Sequence, residues 1–395
     1  MGSIPVIPRR HHEEECVTRT ILHMADVHLE ASFSSSGLPS AVGARRRQDL
    51  RAAFERALSL AHKHGADAVT VAGDLYDGRY ALPETGNFLA EALASLSPIR
   101  AIIAPGCADP YSDDSVYALT RWPDNVTILP HGTFSAVRVA PDLTIWGTAW
   151  GPEDPGELPR VNASGGERHL LLLHVGQVAG DGSGPALPGG LTRESVRAAG
   201  FGFALLGGGH VGEVWPRDHP CGCFPGSLEP LGPEEMTGSH GAVIVQIADD
   251  GTCTAEWSPV GRWRYVSLTV DLSACATPDQ AARRIEAALK RDRVRTDARA
   301  IAAVTITGLP AEGLDLSEVQ GLIETRAHLT IRAERPVPYE LDRLAQEHTV
   351  RGLLVRRLCA SHDVGQPLDD DLKRNALILA LRALDGKGVR PGEIA

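Results

Sequence analysis

The sequence predicts a layered α/β fold followed by a small α+β cap and C-terminal helices, and three observations carry that prediction. Short apolar, β-rich runs recur from about residue 20, helical stretches separate them, and polar residues able to do chemistry stand directly after the runs. Apolar runs that alternate with helices belong to a mostly parallel sheet whose strands are buried on both faces. Polar residues at the ends of such strands are where a site is expected, because the scaffold there is rigid and the following loop is free to vary.

The elements follow in order. TILHM is the first strand, a helix spans about Ser40 to His64, DAVTVAG is the second strand, a helix lies around Asn87 to Leu96, and IRAIIAP is the third strand. TILP, SAVRVA and LTIWGTAW add strands, HLLLLH ends on His174, TRESVRAAG is a helix, and FALLGGGH ends on His210. GAVIVQIAD, TAEWSP and WRYVSLTVDL read as antiparallel strands that close this first domain. A β-α-β-α-β unit comes next: a strand near Tyr265 to Val270, helix Pro278 to Lys290, strand Ala300 to Ile306, helix Leu316 to Thr325 and strand His328 to Ala333. The segment ERPVP then leads to a last helix over about Leu368 to Leu384, which either packs on its own domain, the commoner case, or docks a partner. The expected boundaries are a flexible N-terminal segment 1–18, a first domain 19–262, a cap 263–335 and a C-terminal helical partner-docking region 336–395.

Composition sets limits on function. A chain of 395 residues with 43% hydrophobic and 23% charged residues is an ordinary globular protein, long enough for two or three domains. No apolar run approaches the roughly 20 residues that cross a bilayer, and the charged N-terminal stretch Arg9 to Glu15 has no apolar segment after it, so a cytoplasmic protein with no membrane association is expected. Seven cysteines are sparse and odd in number, which favours reduced thiols, and the CGC at 221 to 223 lacks the second pair that a zinc site needs. A formal charge of −11 argues against coating nucleic acid by bulk positive charge, so any contact with DNA must be local or shared with a partner.

Five residues form the candidate centre. Asp26 and His28, two apart in an extended segment, point the same way and can grip one ion. In Gly73-Asp74-Leu75-Tyr76-Asp77 the glycine permits a sharp turn that sends Asp74 over the sheet edge. His174 and His210, each after an apolar run, add nitrogen donors, and mixed nitrogen and oxygen ligation suits Mn, Fe, Zn or Co better than Ca. Asp77 and Asp109 are expected to brace loop N–H groups, His23 to be a packed histidine, and His11, His12 and His219 to lie in solvated loops.

The order and wording of HMADVHLE, GDLYD, PGCADP, LLLHVG, LGGGHVGEV and FPGSLE resemble the calcineurin-type metallophosphoesterases, and within them the SbcD/YhaO exonuclease branch related to the Mre-eleven nuclease. The likeness covers residues 19 to about 270, and the remainder more loosely. It implies a four-layer sandwich of two central β-sheets flanked by helices. It also implies two metals bridged by one aspartate, with a metal-bound water or hydroxide attacking phosphorus. Carried over, it assigns Asp26, His28 and His210 to a first metal, with Asp74 bridging, and His174 to a second. The chain departs from the pattern at that second metal. The family's G-N-H-D reads Gly106-Cys107-Ala108-Asp109, so the asparagine ligand is Cys107 and the histidine that assists the leaving group is Ala108, which leaves no catalytic acid assigned. L-G-H-x-H falls without a gap on Leu206 to His210, placing Gly208 at one histidine; the alternative, inserting two residues, matches His210 to the first histidine and Gly212 to the second. Cys107 is then either a soft ligand of a remodelled site or a small buried residue at a strand end.

From the resemblance follow a divalent transition metal, manganese foremost with iron or zinc as alternatives, a homodimer, an SbcC-type SMC-like ATPase bound through the C-terminal helices, and DNA held with that partner's help. The expected function is an SbcD/YhaO-like subunit of a DNA-processing complex in repair or defence, its phosphodiesterase or nuclease activity altered, weak or lost. Two alternatives stand beside it: a non-catalytic scaffold that binds DNA or the ATPase, and an enzyme turned to another substrate on a one-metal site.

Overall fold

The computed structural model describes residues 17–33, 39–151, 157–162, 166–175, 191–217, 219–273, 275–307, 316–333, 341–360, and 376–385 without 378 and 382. Most of the expected N-terminal segment, with His11 and His12, the whole ERPVP segment and the first half of the expected last helix lie outside these residues; residues 17 and 18 already belong to the first strand.

The chain forms β1 (Val17–Met24), α1 (Ser40–Lys63), β2 (Ala68–Ala72), α2 (Pro83–Ala94), β3 (Arg100–Ala104), α3 (Val116–Leu119), β4 (Val126–Ile128), β5 (Ser135–Ala140) and β6 (Leu143–Gly147). It continues through β7 (Arg168–His174), α4 (Arg193–Ala198), β8 (Phe203–Gly207), β9 (Glu213–Trp215), β10 (Gly222–Phe224), β11 (Ala242–Ala248) and β12 (Cys253–Ser258). These strands build two six-stranded sheets, ordered β12-β11-β1-β2-β3-β4 and β5-β6-β7-β8-β10-β9. β1, β2, β3 and β4 are mutually parallel, as are β6, β7 and β8, so their C-terminal ends line up at one edge of each sheet.

Alternation along the strands explains the layers. Leu22, Met24, Val69, Val71 and Ile103 face α1 and α2, packing with Leu50, Phe54, Leu89 and Leu93. Their neighbours Ile21, Ala68, Ala72, Ile102 and Ala104 face the second sheet and meet Ile145, Leu170, Leu172, Phe203 and Leu205. Leu171, Leu173, Ala204 and Leu206 turn the other way, onto Val196 of α4 and Phe201. The result is helix, sheet, sheet, helix: an α/β sandwich of two central sheets, as expected. Small residues on the inner face of the first sheet let the two sheets approach closely.

Three features depart from the sequence reading. The strand at WRYVSLTVDL, read both as closing the first domain and as opening the β-α-β-α-β unit, does only the second: β13 (Arg264–Asp271) joins β14 (Ala300–Thr307) and β15 (His328–Ala333) in a separate three-stranded sheet. Its period-two burial, with Tyr265, Leu268 and Val270 buried, fits a strand covered on one face only. β9 and β10 were not expected, and the CGC lies at the start of β10, Cys221 just before it and Cys223 within it, where both are buried and burial pushes both thiols up. Arg46, in the apolar stripe of α1, is fully buried. Its guanidinium lies 3.8 Å over the Phe33 ring and donates to Tyr265 Oη at 2.8 Å and to the carbonyls of Leu231 at 3.3 Å and Pro230 at 2.5 Å. Planar Arg, with several donors and a stackable face, suits that aromatic slot.

By internal contacts the chain divides into two units. One is Met1–Ser267 with Thr296–Ala302 and Arg326–Leu329; the other is Leu268–Arg295, Ala303–Thr325 and Thr330–Ala395. The second contains α5 (Pro278–Arg291), capped by Thr277 and burying Ala281, Ala282, Ile285, Ala288 and Leu289, and α6 (Leu316–Leu322), shorter than expected. It also contains α7 (Leu341–Ala345) and α8 (Val350–Ala360), where Leu344, Val355, Leu377 and Leu381 form a core of their own. Among the described residues, no helix is long and apolar enough to cross a membrane.

His23 on β1 is a packed histidine, bonded through Nδ1 to Thr70 Oγ1 at 3.0 Å and through Nε2 to the Leu206 carbonyl at 3.1 Å. Burial carries its pKa down to about 4. The unfolded chain therefore takes up a proton near pH 6.5 that the folded chain refuses until about pH 4, and stability falls across that window as pH drops. The loss attributable to His23 is on the order of 3 kcal/mol. Urea unfolding at pH 7 and pH 4.5 should show a smaller acid loss for His23→Gln than for the wild type; equal losses would rule this out.

Candidate metal centre

The site is assembled from strand ends of both sheets. Asp26 and His28 follow β1, Asp74 follows β2, Cys107 follows β3, His174 ends β7 and His210 comes three residues after β8. The two sheets meet here at backbone distance. A Cβ at Gly207 would stand 1.8 Å from the Ala72 carbonyl oxygen, and one at Gly73 would stand 2.5 Å from His174 Nδ1, so only glycine fits either place. Asp26, His28 and Asp74 all hold left-handed backbones, with φ of 50°, 48° and 51°. Non-glycine residues rarely take this conformation, and where the surroundings enforce it the strain commonly marks a working site.

The enforcing contacts are backbone hydrogen bonds between the loops. Asp26 N donates to Gly73 O at 3.0 Å, His28 N to Asp74 O at 2.9 Å and Leu29 N to Leu75 O at 3.1 Å. Buried Asp109 accepts from Asp74 N at 3.0 Å, Leu75 N at 2.7 Å, Gly106 N at 2.6 Å and Tyr117 Oη at 2.6 Å, tying the loop after β3 to the loop after β2. That is the bracing role expected for Asp109.

Two groups of donor atoms result, each within 4.8 Å of one another: Asp26, His28, Asp74 and His210, and Asp74, Cys107 and His174. Asp74 belongs to both. Its Oδ2 lies 3.5 Å from His28 Nε2 and 3.4 Å from Cys107 Sγ, and its Oδ1 lies 3.5 Å from His174 Nε2. The Nε2 atoms of His28 and His174 are buried and have no hydrogen-bond partner. A buried nitrogen without a partner is costly, and two of them aimed at one carboxylate are what a cation between them would satisfy. The donor set thus fits a divalent metal.

The far side of each imidazole is pinned. His28 Nδ1–H donates to Asp77 Oδ1 at 2.7 Å, His210 Nδ1–H to Glu235 Oε1 at 2.7 Å and His174 Nδ1–H to the Ala72 carbonyl at 3.0 Å. Acceptors at Nδ1 fix the tautomer so that Nε2 presents its lone pair to the centre. Asp77 was expected to brace loop amides; its carboxylate is instead bonded to the ring of His28, a candidate ligand, because the turn after Asp74 brings it to Nδ1. Glu235 escaped the sequence reading. Its signal was faint, an acidic pair at 234 and 235 in a short 3₁₀ turn Pro233–Glu235, just past the FPGSLE motif and outside it. Glu235 Oε2 is itself held by Ser227 Oγ at 2.9 Å and Leu231 N at 2.9 Å.

The charges follow from this packing. Burial raises the pKa of Asp26, against the pull of His174, His210 and His28. Burial works against the charged His28 ring, but the Asp77 hydrogen bond and the charges of Asp74, Asp77 and Asp26 outweigh it and carry the group up to about 9. Burial, with the Asp74 charge, pushes the Cys107 thiol up to about 12, so without a cation it is a protonated donor to Asp74. Asp26 is further held by Gly208 N–H, 3.0 Å from each of its oxygens.

His210 stands with Asp26, His28 and Asp74, the group to which the ungapped matching assigns it. Gly208 has φ of 98°, so a histidine there would have to take a conformation that side chains rarely adopt. Gly212 N–H donates to Ser239 O at 2.7 Å, and the residue has no side chain to offer the centre. Ala108 offers only its N–H, which donates to Asp74 Oδ1 at 2.8 Å. His219 is exposed, as expected. Beside the centre lies a cleft of about 780 Å³, lined in part by His28, Phe33, Asp77, Gly208, His210 and Glu235.

A two-sheet sandwich with histidines and aspartates converging at its strand ends defines a metallophosphoesterase fold, and comparison with known proteins agrees. Residues 19–175 match the family described as calcineurin-like phosphoesterase, so the chain carries a calcineurin-like metallophosphoesterase domain. A Bacillus subtilis (strain 168) protein named as an uncharacterized metallophosphoesterase, YhaO, is 23% identical over 240 residues, which is 58% of this chain and 58% of that one. The match thus spans a little over half the length of that relative.

Removing the Asp109 carboxylate strands three buried N–H groups and the Tyr117 hydroxyl. Asp109→Ala should lower the unfolding free energy by about 3–5 kcal/mol in urea titrations. A change below about 1 kcal/mol would mean the two loops are held together by other contacts.

Proposed function

We propose that this chain is an SbcD/YhaO-like phosphodiesterase subunit of a DNA-processing complex, in repair or defence, whose activity is altered by the changes at Cys107 and Ala108. The observation that carries the phosphoesterase part is the convergence of two buried, unpartnered imidazole nitrogens on the shared carboxylate of Asp74. Manganese is the expected metal, with iron or zinc as alternatives, because the donors mix imidazole and carboxylate. A divalent ion there supplies Lewis-acid polarisation of a phosphoryl oxygen and a lowered pKa for adjacent water.

The residues of the chain do the rest. Asp26, His28, Asp74 and His210 would hold the first ion, Asp77 and Glu235 keep protons on the Nδ1 atoms, and Gly208 N–H fixes the Asp26 carboxylate. The adjoining cleft has room for a nucleotide-sized ester. Ala108 cannot protonate a departing oxygen, so esters whose leaving groups depart without a proton are the better substrates of this centre. General acid catalysis is worth about 10²–10⁴-fold, and esters with poor leaving groups, DNA among them, bear that loss.

The dimer, the SbcC-type ATPase and DNA enter through the family resemblance. The charge of −11 accords with a subunit that borrows its hold on DNA from a partner. Leu82, Tyr111 and Leu119, exposed around α2 and α3, give the dimer an apolar surface to use. A second reading, the non-catalytic scaffold, is favoured by one observation: positions 108 and 208, where the resemblance expects histidines, hold alanine and glycine.

Metal content and turnover together decide between them. Manganese-loaded protein should hydrolyse an activated nitrophenyl phosphodiester faster than single-stranded DNA by about 10²–10⁴-fold, and Asp74→Ala should lose metal and at least about a hundredfold in rate. Bound metal without turnover of either ester would select the scaffold. Absence of bound metal in the wild type would defeat the metallophosphoesterase reading.

A further inference from the structure

We propose that the two halves of this centre are chemically unequal: Asp26, His28, Asp74 and His210 form a tight half-site that loads first, whereas Asp74, Cys107 and His174 form a weaker one that selects a thiophilic cation. The inference rests on the metallophosphoesterase reading above and assigns to each half the class of ion it takes.

The difference begins behind the ligands. Both imidazoles of the first half give their Nδ1 protons to carboxylates, Asp77 and Glu235, each at 2.7 Å. His174, the imidazole of the second half, gives its proton to a neutral carbonyl, at 3.0 Å. A carboxylate partner makes the ring a more basic ligand than a carbonyl does, so the first half has two strengthened nitrogens and the second has an ordinary one. Donor number adds to the contrast, since the first half offers four protein ligands and the second three, one of which, Cys107, must give up a proton before it can bind.

The second half is nonetheless built to receive an ion. His174 Nε2 is buried, its side chain 0% exposed, without a hydrogen-bond partner, and it faces the same carboxylate as Cys107 Sγ. Sulfur changes which ion fits. Thiolate ligands favour zinc and cobalt over manganese, which prefers oxygen. On binding, the thiol gives its proton to solvent and the sulfur lone pair forms the bond to the cation, with no redox change. The pairing of a hard, carboxylate-rich half with a soft one makes a centre that takes two different metals in a fixed order.

Cobalt(II) reads this directly, since a cobalt–thiolate bond absorbs in the near ultraviolet while oxygen and nitrogen ligation gives only weak visible bands. The full chain, freed of metal and titrated with cobalt, should show weak visible bands with the first equivalent and the near-ultraviolet band with the second. Zinc should abolish that band and manganese should not. Cys107→Ser, with an unchanged circular dichroism spectrum, should keep one ion and lose the band. Asp77→Asn and Glu235→Gln should each weaken the first ion by about 10–100-fold and leave the band in place at saturating cobalt. A thiolate band with the first equivalent, a band that survives Cys107→Ser, or cobalt bound with no band at all would overturn the proposal while leaving the metal reading intact. No cobalt bound in any form would remove the metal reading itself.

Discussion

Asp74 can serve both groups of donors only because the chain around it is packed to backbone contact. The ends of β2 and β8 approach until Gly207 leaves no room for a methyl group against Ala72, and Gly73 abuts the His174 ring. With that approach the carboxylate stands between imidazoles that come from different sheets. Any side chain at either glycine would separate the sheets at this edge, and His174 and His210 would no longer share a centre with the aspartates. The inner faces of the strands reflect the same requirement, with Ala25, Ala68, Ala72 and Ala104 where bulkier residues would hold the sheets apart.

Close packing also forces the loops into strained shapes. Three ligand-bearing or flanking positions hold left-handed backbones without being glycine, an arrangement that costs on the order of 1 kcal/mol or more at each. The hydrogen bonds from one loop to the next, and the four that converge on Asp109, offset it. The centre is therefore held in shape before any ion arrives, and binding does not have to organise it.

Elsewhere the fold tolerates buried charge where partners are arranged for it. Arg46 lies among Phe33, Trp263 and Tyr265, with carbonyls from the loop after β10 taking its protons and Glu229 opposing the cost of burial. That loop goes on to the Pro233–Glu235 turn, which carries the carboxylate behind His210. The arginine of α1 and the second support of the metal ligands are thus anchored through one stretch of chain.

Much of this was legible in the residues. The alternation of apolar runs and helices gave the layered α/β class, since burial on both faces leaves a continuous hydrophobic signature, and the residues after each run marked the candidate ligands Asp26, His28, Asp74, His174 and His210. What was misread had no local signature. WRYVSLTVDL could be read into either sheet because it has the period of a half-buried strand whichever it joins, and its place beside β14 depends on partners distant in sequence. Asp77 and Glu235 look like any surface acid until the fold carries them behind an imidazole, because a hydrogen bond to Nδ1 is a property of position in space. The sequence by itself determined which atoms are available to hold a metal; the tertiary structure alone decided which share a centre and which imidazoles are backed by a carboxylate, because both depend on the distance between two sheets that no local pattern encodes.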